Sequence, residues 1–156
     1  QLTLVQKIAL TGAIIVTTPQ DLAHQDVQKG SDMFSKVNTP VIGVVENMSF
    51  YNLKGNINGF DNRSMDLSFD DFNENIKVDD NGKFELNIEI FKGRSGKKES
   101  SRLGIPLLGS IPLDPYLSLL SDAGKPYVFE NENSLISNIF KDISLNIENL
   151  VKVKDN

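Results

Sequence analysis

Apolar and polar positions along the chain follow two patterns, one typical of buried strands and the other of amphipathic helices. Continuous apolar runs at residues 13–19, 40–47 and 105–111 predict three strands buried on both faces, as in a parallel sheet. The last two runs share one order: proline, two aliphatic residues, glycine, any residue and another aliphatic residue. Helical periodicity predicts amphipathic helices at residues 1–10, 21–37, 115–122 and 133–150.

Strand, helix and strand at this spacing are the signature of right-handed βαβ units. The predicted fold class is therefore α/β, a parallel sheet flanked by helices. In the second helix, Asp21 can serve as the N-cap. Residues 126–129 are predicted to form a short extended piece. The buried side of the second helix is expected to carry Leu22, Val27, Met33 and Phe34.

Residues 52–90 do not continue this alternation of strands and helices. Their first part is acidic, and their second part carries the turn pair Asn81-Gly82, followed by alternating apolar residues. This pattern predicts an inserted β-hairpin, which is either a surface insertion or a partner-binding arm. We therefore expect one domain over residues 1–150, an acidic hairpin insertion at 52–90 within it, and a frayed tail at 151–156.

Composition narrows the classes of function. The 156-residue chain has a net charge of −5, and this argues against a nucleic-acid partner because no basic field attracts phosphates. No apolar run approaches the roughly 20 residues that span a bilayer, so no membrane partner is expected. The chain has no cysteine, which excludes a thiolate metal site or a thiol nucleophile within it. We expect no metal ligand and no catalytic residue here, and an ordinary surface position for the single histidine, His24.

The glycine-containing stretch GRSGKKES, residues 93–100, is a candidate phosphate loop that fails on two counts. The motif G-x-x-x-x-G-K-[ST] would need glycine where Phe91 stands, and serine or threonine where Lys98 stands. Two interpretations stay open. The stretch is either a tight strand-to-helix turn or a helix N-terminus that binds an anion through free N–H groups.

Polar and turn residues close the predicted strands at one edge of the sheet, where α/β proteins bind ligands. Asn47 follows the second strand, and its amide offers an acceptor and a donor that match N6 and N7 of adenine. Pro112, Leu113 and Asp114 follow the third strand and can line a flat base. The alternative is local: Asn47 caps a loop, and Asp114 caps the helix that starts at Pro115.

The same stretches carry a family resemblance. GAIIVTTPQDLAHQDVQKGSDMFSKVNTPVIGVVENMS (12–49) and LGIPLLGSIPLDPYLSLLSDAGKPYV (103–128) resemble the Mrp/ApbC group of P-loop ATPases, which is similar in fold to MinD and ParA. The resemblance covers about residues 1–49 and 89–129. It implies a P-loop NTPase-like sheet, of which this chain is the C-terminal part, with Asn47 contacting adenine and Pro112-Leu113-Asp114 beside it.

The resemblance also implies a function for the parent protein. Members of the group are iron–sulfur cluster carriers that bind ATP with Mg²⁺ and hydrolyse it. A homodimer, a cytoplasmic location and client proteins that receive the cluster are implied as well. Because the chain starts at Gln1 inside a predicted helix, we expect it to be a fragment of such a protein.

Two departures from the family pattern limit these expectations. The family's phosphate-binding loop and Mg²⁺-holding switch would lie before Gln1, so this chain alone should not hydrolyse ATP. The Cys-x-x-Cys pair that follows E-N-M-S in the family, and would hold a cluster between two subunits, is replaced here by FYNLKGN, residues 50–56. Either no bridging cluster exists, or cysteines outside this chain hold it, or the insertion provides a different partner surface.

Three interpretations therefore remain. The first is the adenine-side half of an ATP-binding iron–sulfur cluster carrier. The second is a MinD/ParA-like ATPase with protein or membrane cargo and no cluster, which the missing cysteines favour. The third is a stand-alone, non-enzymatic binding module. We favour the first, because the PQDLA and VVENMS blocks support it.

Overall fold

The computed structural model describes residues 8, 10–58, 65–69, 72–76 and 78–154, with the backbone alone at 65–69, 72–76 and 153–154. Most of the predicted helix at residues 1–10 lies outside this part of the chain, and Ile8 and Leu10 are not helical. The described elements are β1 (Ala13–Thr17), α1 (Asp21–Lys36), β2 (Val41–Asn56), β3 (Met65–Phe69), β4 (Phe72–Ile76), β5 (Lys83–Ile88), α2 (Ser95–Leu103), β6 (Leu107–Leu113), α3 (Pro115–Asp122), α4 (Tyr127–Glu130) and α5 (Leu135–Lys154).

Strand β2 is the centre of the main sheet and has two halves with different neighbours. The first half lies between β1 and β6 and is parallel to both, so that Val45 pairs with Val16 and with Gly109. The second half, residues 51–56, pairs with β5 in antiparallel register. The three predicted parallel strands are confirmed. The sheet as a whole is mixed, because the antiparallel β5 also belongs to it.

The predicted end of β2 at Asn47 is wrong. The strand continues to Asn56 past an irregularity at Met48, whose φ of 58° lies in the left-handed region. The ladder with β6 skips there, from the pair Asn47–Ile111 to the pair Tyr51–Leu113. Beyond residue 46 the strand carries no buried residue, so its polar composition resembled that of a loop.

Helices cover both faces of the parallel part of the sheet. Val45 belongs to a core cluster with Leu108, Ile111 and Ile143 of α5, while the next residue, Glu46, contacts the start of α2. Successive strand residues point to opposite faces, so α5 lies on one face and α2 on the other. α1 packs on α2 and β1.

The predicted helices are largely confirmed, with corrections at their ends. α3 has the predicted bounds. α5 begins two residues later than predicted and extends to Lys154, and residues 155–156 lie outside the described part. Residues 127–130 form one helical turn, so the extended piece predicted there is wrong.

Helix α1 occupies the predicted stretch, but its buried side differs from the expectation. Leu22 is 79% exposed, and Ser31 is the fully buried residue of the helix. Asp21 is not the N-cap, since Gln20 holds that position and Asp21 instead accepts a hydrogen bond from Lys98. Polar contacts with α2, from Lys98 to Asp21 and from Arg102 to Asp32, therefore also contribute to the packing of α1.

The region 52–90 contains antiparallel strands. The turn at Asn81-Gly82 leads into β5, and Gly82 has the φ of 78° that this turn requires. β5 pairs with β2, whereas β3 and β4 pair with each other in a separate two-stranded sheet. Several of the acidic residues noted in the sequence, such as Asp61, Asp70 and Asp71, lie outside the described residues.

Candidate functional site

Three of the four residues predicted to contact adenine line one cavity. Pro112, Leu113 and Asp114 stand at the carboxyl end of β6 and border a space of ≈ 510 Å³. The opposite walls come from β2 residues 51–54 and from the start of α5. Asn47 is not among the lining residues, although it pairs in the ladder with Ile111, the neighbour of Pro112.

Asp114 and Asn47 both make local hydrogen bonds. Asp114 is the N-cap of α3, and its Oδ1 accepts N–H groups from Tyr116 at 2.6 Å and Leu117 at 3.0 Å. Oδ1 of Asn47 accepts the backbone N–H of Met48 at 2.9 Å. The local roles that were the alternative to adenine binding, a loop cap for Asn47 and a helix cap for Asp114, are thus present in the structure. A base contact by Asn47 would have to use its amide nitrogen, or displace the bond to Met48.

The neighbouring Glu46 is a residue that the sequence analysis missed. It is only 6% exposed, and its side chain lies against Gly96 in the first turn of α2, a helix end that favours negative charge. Burial raises the pKa of Glu46, the Gly96 hydrogen bond and the charge of Arg94 oppose this rise, and the charge of Glu89 adds to it. The sequence feature that could have identified Glu46 is the position of an acidic residue directly after the apolar run PVIGVV.

GRSGKKES forms the turn into α2, so the first of its two interpretations is confirmed. The N–H of Ser95 donates to the carbonyl of Pro19 at 3.3 Å. A Cβ on Gly93 would lie 2.0 Å from the same carbonyl oxygen, so only glycine permits this approach. The side chain of Glu46 lies against Gly96 at this helix N-terminus.

A second buried carboxylate lies at the interface of α1 and α2. The side chain of Glu99 is fully buried, and both its oxygens accept hydrogen bonds from Arg102, at 2.8 and 2.9 Å. These bonds lower the pKa of Glu99, against the effect of burial. Arg102 also donates to Asp32 of α1 at 3.1 Å. The pair thus joins the two helices through a polar contact.

His24 lies beside this pair, so the prediction of an ordinary surface position is wrong. Its Nδ1 is buried and stands 4.0 Å from Oε2 of Glu99, and its Nε2 is 3.2 Å from the amide nitrogen of Gln28. A histidine among polar neighbours in the sequence gave no sign of this, because the partner Glu99 comes from a distant helix.

Within residues 8, 10–58, 65–69, 72–76 and 78–154, no group of three or more acidic or histidine side chains could hold a metal ion. In the same part of the chain, no helix combines the length and the apolar character needed to cross a membrane.

Parallel strands with helices on both faces, and a cavity where those strands end, define an α/β protein of the kind that binds ligands at its strand ends. The family model described as NUBPL iron-transfer P-loop NTPase, within the ParA group, matches residues 1–66 and 62–148. The chain therefore belongs to this family. The resemblance to Mrp/ApbC proteins is confirmed, and the sheet with its flanking helices agrees with a P-loop NTPase-like fold.

Curated relatives carry matching names. An iron-sulfur cluster carrier protein of Aquifex aeolicus is 34% identical, over 100% of this chain and 35% of the relative. The iron-sulfur cluster transfer protein NUBPL of Dictyostelium discoideum is 33% identical, over 99% of this chain and 39% of the relative. An Arabidopsis thaliana iron-sulfur protein required for NADH dehydrogenase, mitochondrial, is 29% identical, over 100% of this chain and 41% of the relative. The chain thus spans between a third and about two fifths of the length of these relatives.

Proposed function

We propose that this chain acts as the adenine-side part of an iron–sulfur cluster carrier that binds ATP with Mg²⁺ and hydrolyses it. The observation that carries the proposal is the family match over residues 1–66 and 62–148. The names of the relatives from Aquifex aeolicus and Dictyostelium discoideum support the cluster as the cargo. ATP hydrolysis is assigned to the complete carrier and not to these 156 residues, because they lack a phosphate-binding loop.

Within this proposal, Asn47, Pro112, Leu113 and Asp114 contact the adenine ring. Three of them line the cavity at the end of β6, and the ladder pair Asn47–Ile111 brings Asn47 next to Pro112. The amide nitrogen of Asn47 donates to N7 of the base, while the ring packs on Pro112 and Leu113. A base is flat and mostly apolar on its faces, which suits a wall built of these two side chains.

The cluster is cargo, and its thiolate ligands come from outside this chain, which has no cysteine. A homodimer and iron–sulfur client proteins complete the proposal. We propose the cytoplasm as the compartment, although one relative is named as mitochondrial.

A second candidate is a MinD/ParA-like ATPase that moves a protein or membrane cargo and carries no cluster. One observation favours it: residues 50–56, where the family resemblance implies two cysteines, belong to β2 and contain no thiol, and residues 51–56 among them pair with β5. The names of the relatives do not favour it.

The experiment that tests the proposal uses the protein encoded by the complete gene. It is reconstituted without oxygen with iron and sulfide, and transfer of the cluster to an apo-ferredoxin is followed by absorbance, with and without ATP and Mg²⁺. We expect a bound cluster whose transfer responds to ATP. Tight ATP binding with no cluster after reconstitution would support the cargo ATPase instead.

The adenine contact is tested separately in the same protein. Asn47→Ala removes both hydrogen-bonding groups of the side chain, so ATP affinity should fall about tenfold, since one good base contact contributes about 1–3 kcal/mol. Asn138→Ala is the matched control, because Asn138 is an exposed residue of α5. Equal affinities of the two variants for ATP would show that Asn47 does not contact adenine.

A further inference from the structure

A second cavity lies on the α2 side of the sheet. It measures ≈ 410 Å³ and shares no lining residue with the cavity beside Pro112. Charged walls are formed by Glu46 and Glu89 on the strand side and by Arg94 and Lys97 at the start of α2. Phe50 and Leu107 add an apolar wall. None of the roles proposed for the adenine site uses this cavity.

One oxygen of Glu46 has no partner in this cavity wall. Glu46 is more than nine-tenths buried and its side chain lies against Gly96, yet Oε1 makes no hydrogen bond within the described residues. Buried polar atoms almost always have a partner, and a carboxylate oxygen is especially costly to leave without one. Oε1 therefore calls for a hydrogen-bond donor that the described residues do not supply.

The charges around Glu46 restrict what this donor can be. Two carboxylates and two cationic side chains line the cavity, and none of the four takes part in an ion pair among the described residues. A bare metal cation would be repelled by Arg94 and Lys97. A simple anion such as phosphate would meet Glu46 already at the helix N-terminus, with Glu89 beside it. Neither kind of ion matches both halves of the lining.

We propose that this cavity binds a small amphoteric molecule, with an amine at one end and an acid group at the other. The Glu46 side chain turns its unpartnered Oε1, which is closed to solvent in this structure, to accept a hydrogen bond from the amine, and Glu89 lies close by. The acid group faces Arg94 and Lys97, where charge-assisted hydrogen bonds are strong. A short aliphatic stem packs on Phe50 and Leu107. The inference does not depend on the proposed cluster function, since it rests on different residues.

The first test titrates the protein encoded by the complete gene with a series of ω-amino acids of rising length: glycine, β-alanine, γ-aminobutyrate and δ-aminovalerate. Amide chemical shifts of Gly96 and Ser110 report on the cavity. We expect saturable binding with a best length, because the stem must span the distance between the two charged walls. Methylammonium and acetate, which carry one group each, should bind at least about tenfold more weakly, about 1.4 kcal/mol. Failure of every amino acid to saturate, or equal binding of the single-group probes, would overturn the proposal.

The second test compares variants with the best-binding member of the series. Glu46→Gln keeps the shape and the acceptor but removes the charge, and Arg94→Gln removes the opposite charge at the exposed rim. Each should lower the affinity, Glu46→Gln by about tenfold or more. Lys92→Gln is the matched control, since Lys92 is exposed and does not line the cavity. Unchanged amide shifts away from the cavity show that a variant is folded, and affinities of Glu46→Gln and Arg94→Gln equal to that of Lys92→Gln would refute the site.

Discussion

Glu46 and Glu99 are both buried carboxylates that contact or belong to α2, and they differ in how many of their oxygens have hydrogen-bond partners. Both oxygens of Glu99 are held by Arg102, whereas one oxygen of Glu46 has no partner in the described chain. Their pKa values move in opposite directions as a result: hydrogen bonds lower that of Glu99, and burial raises that of Glu46. Burial alone therefore does not decide the direction in which the pKa of a carboxyl group shifts. The hydrogen bonds that its oxygens accept decide it as well.

The two regions also differ in how their partners are brought together. Arg102 lies three residues after Glu99 on the same helix, so this pair forms as soon as α2 does. The charged neighbours of Glu46 come from β5's end and from the turn before α2. We interpret the pair of Glu99 and Arg102 as a structural link between α1 and α2. We interpret Glu46 as part of the ligand-binding cavity proposed above. Four measurements test this distinction.

The largest effect is expected from Arg102→Met. This change leaves the carboxylate of Glu99 buried without its cationic partner, which typically costs 3–5 kcal/mol. Because the side chain of Arg102 is 35% exposed, we expect about 3 kcal/mol, measured by urea denaturation. Arg102→Lys keeps a charge but loses the two-pronged geometry, and should fall between wild type and Arg102→Met. A loss below about 1 kcal/mol would mean that the pair is not a structural link.

The next effect is a pH dependence that belongs to Glu99. Its pKa in the folded protein is lowered from the ordinary value of 4.5, so its stabilising contribution is present above that value and is lost as pH falls through the folded-state pKa. The difference in unfolding free energy between wild type and Glu99→Gln should therefore shrink below pH 4.5. A difference that stays constant with pH would contradict the assigned pairing.

A smaller effect of opposite sign is expected at Glu46. Its pKa is raised in the folded protein, so its contribution is complete below the ordinary value of 4.5 and is lost as pH rises through the folded-state pKa. Glutamine does not ionise, so Glu46→Gln avoids the cost of a buried charge. The stability of this variant relative to wild type should therefore increase as pH rises above 4.5. Denaturation curves at several pH values measure this. A decrease over the same range would mean that the ionised form is well paired.

The smallest effect is expected from Lys98→Met, which serves as a control for the first prediction. Lys98 and Asp21 form an ion pair at 2.6 Å between α2 and α1, the helices that the Glu99 region also joins, but both side chains are mostly exposed. Solvent screens such a pair, so thermal unfolding should show no measurable change. A loss as large as that of Arg102→Met would show that burial is not what distinguishes the two pairs.

Much of the fold was predictable because its signals are local. The apolar run before Glu46 and the run ending at Ile111 predicted two parallel strands, and helical periodicity predicted α3 and α5. The second half of β2 was not predictable, because it has no buried residue and depends on pairing with β5, more than 25 residues away in sequence. Asp114 was foreseen as a helix cap, since the cap is formed by residues next to it.

In the candidate sites, too, some features follow from the local sequence and others depend on the folded chain. The amino-acid sequence alone was enough to identify the family, to place Pro112, Leu113 and Asp114 at the end of a strand, and to exclude any cysteine that could hold a cluster. The folded chain was needed to show that the residues at the end of β6 line a cavity, that His24 lies against Glu99, and that Glu46 is buried with one oxygen unpaired among the described residues. Burial and hydrogen-bond partners arise when distant segments pack together, and no local pattern of residues encodes them.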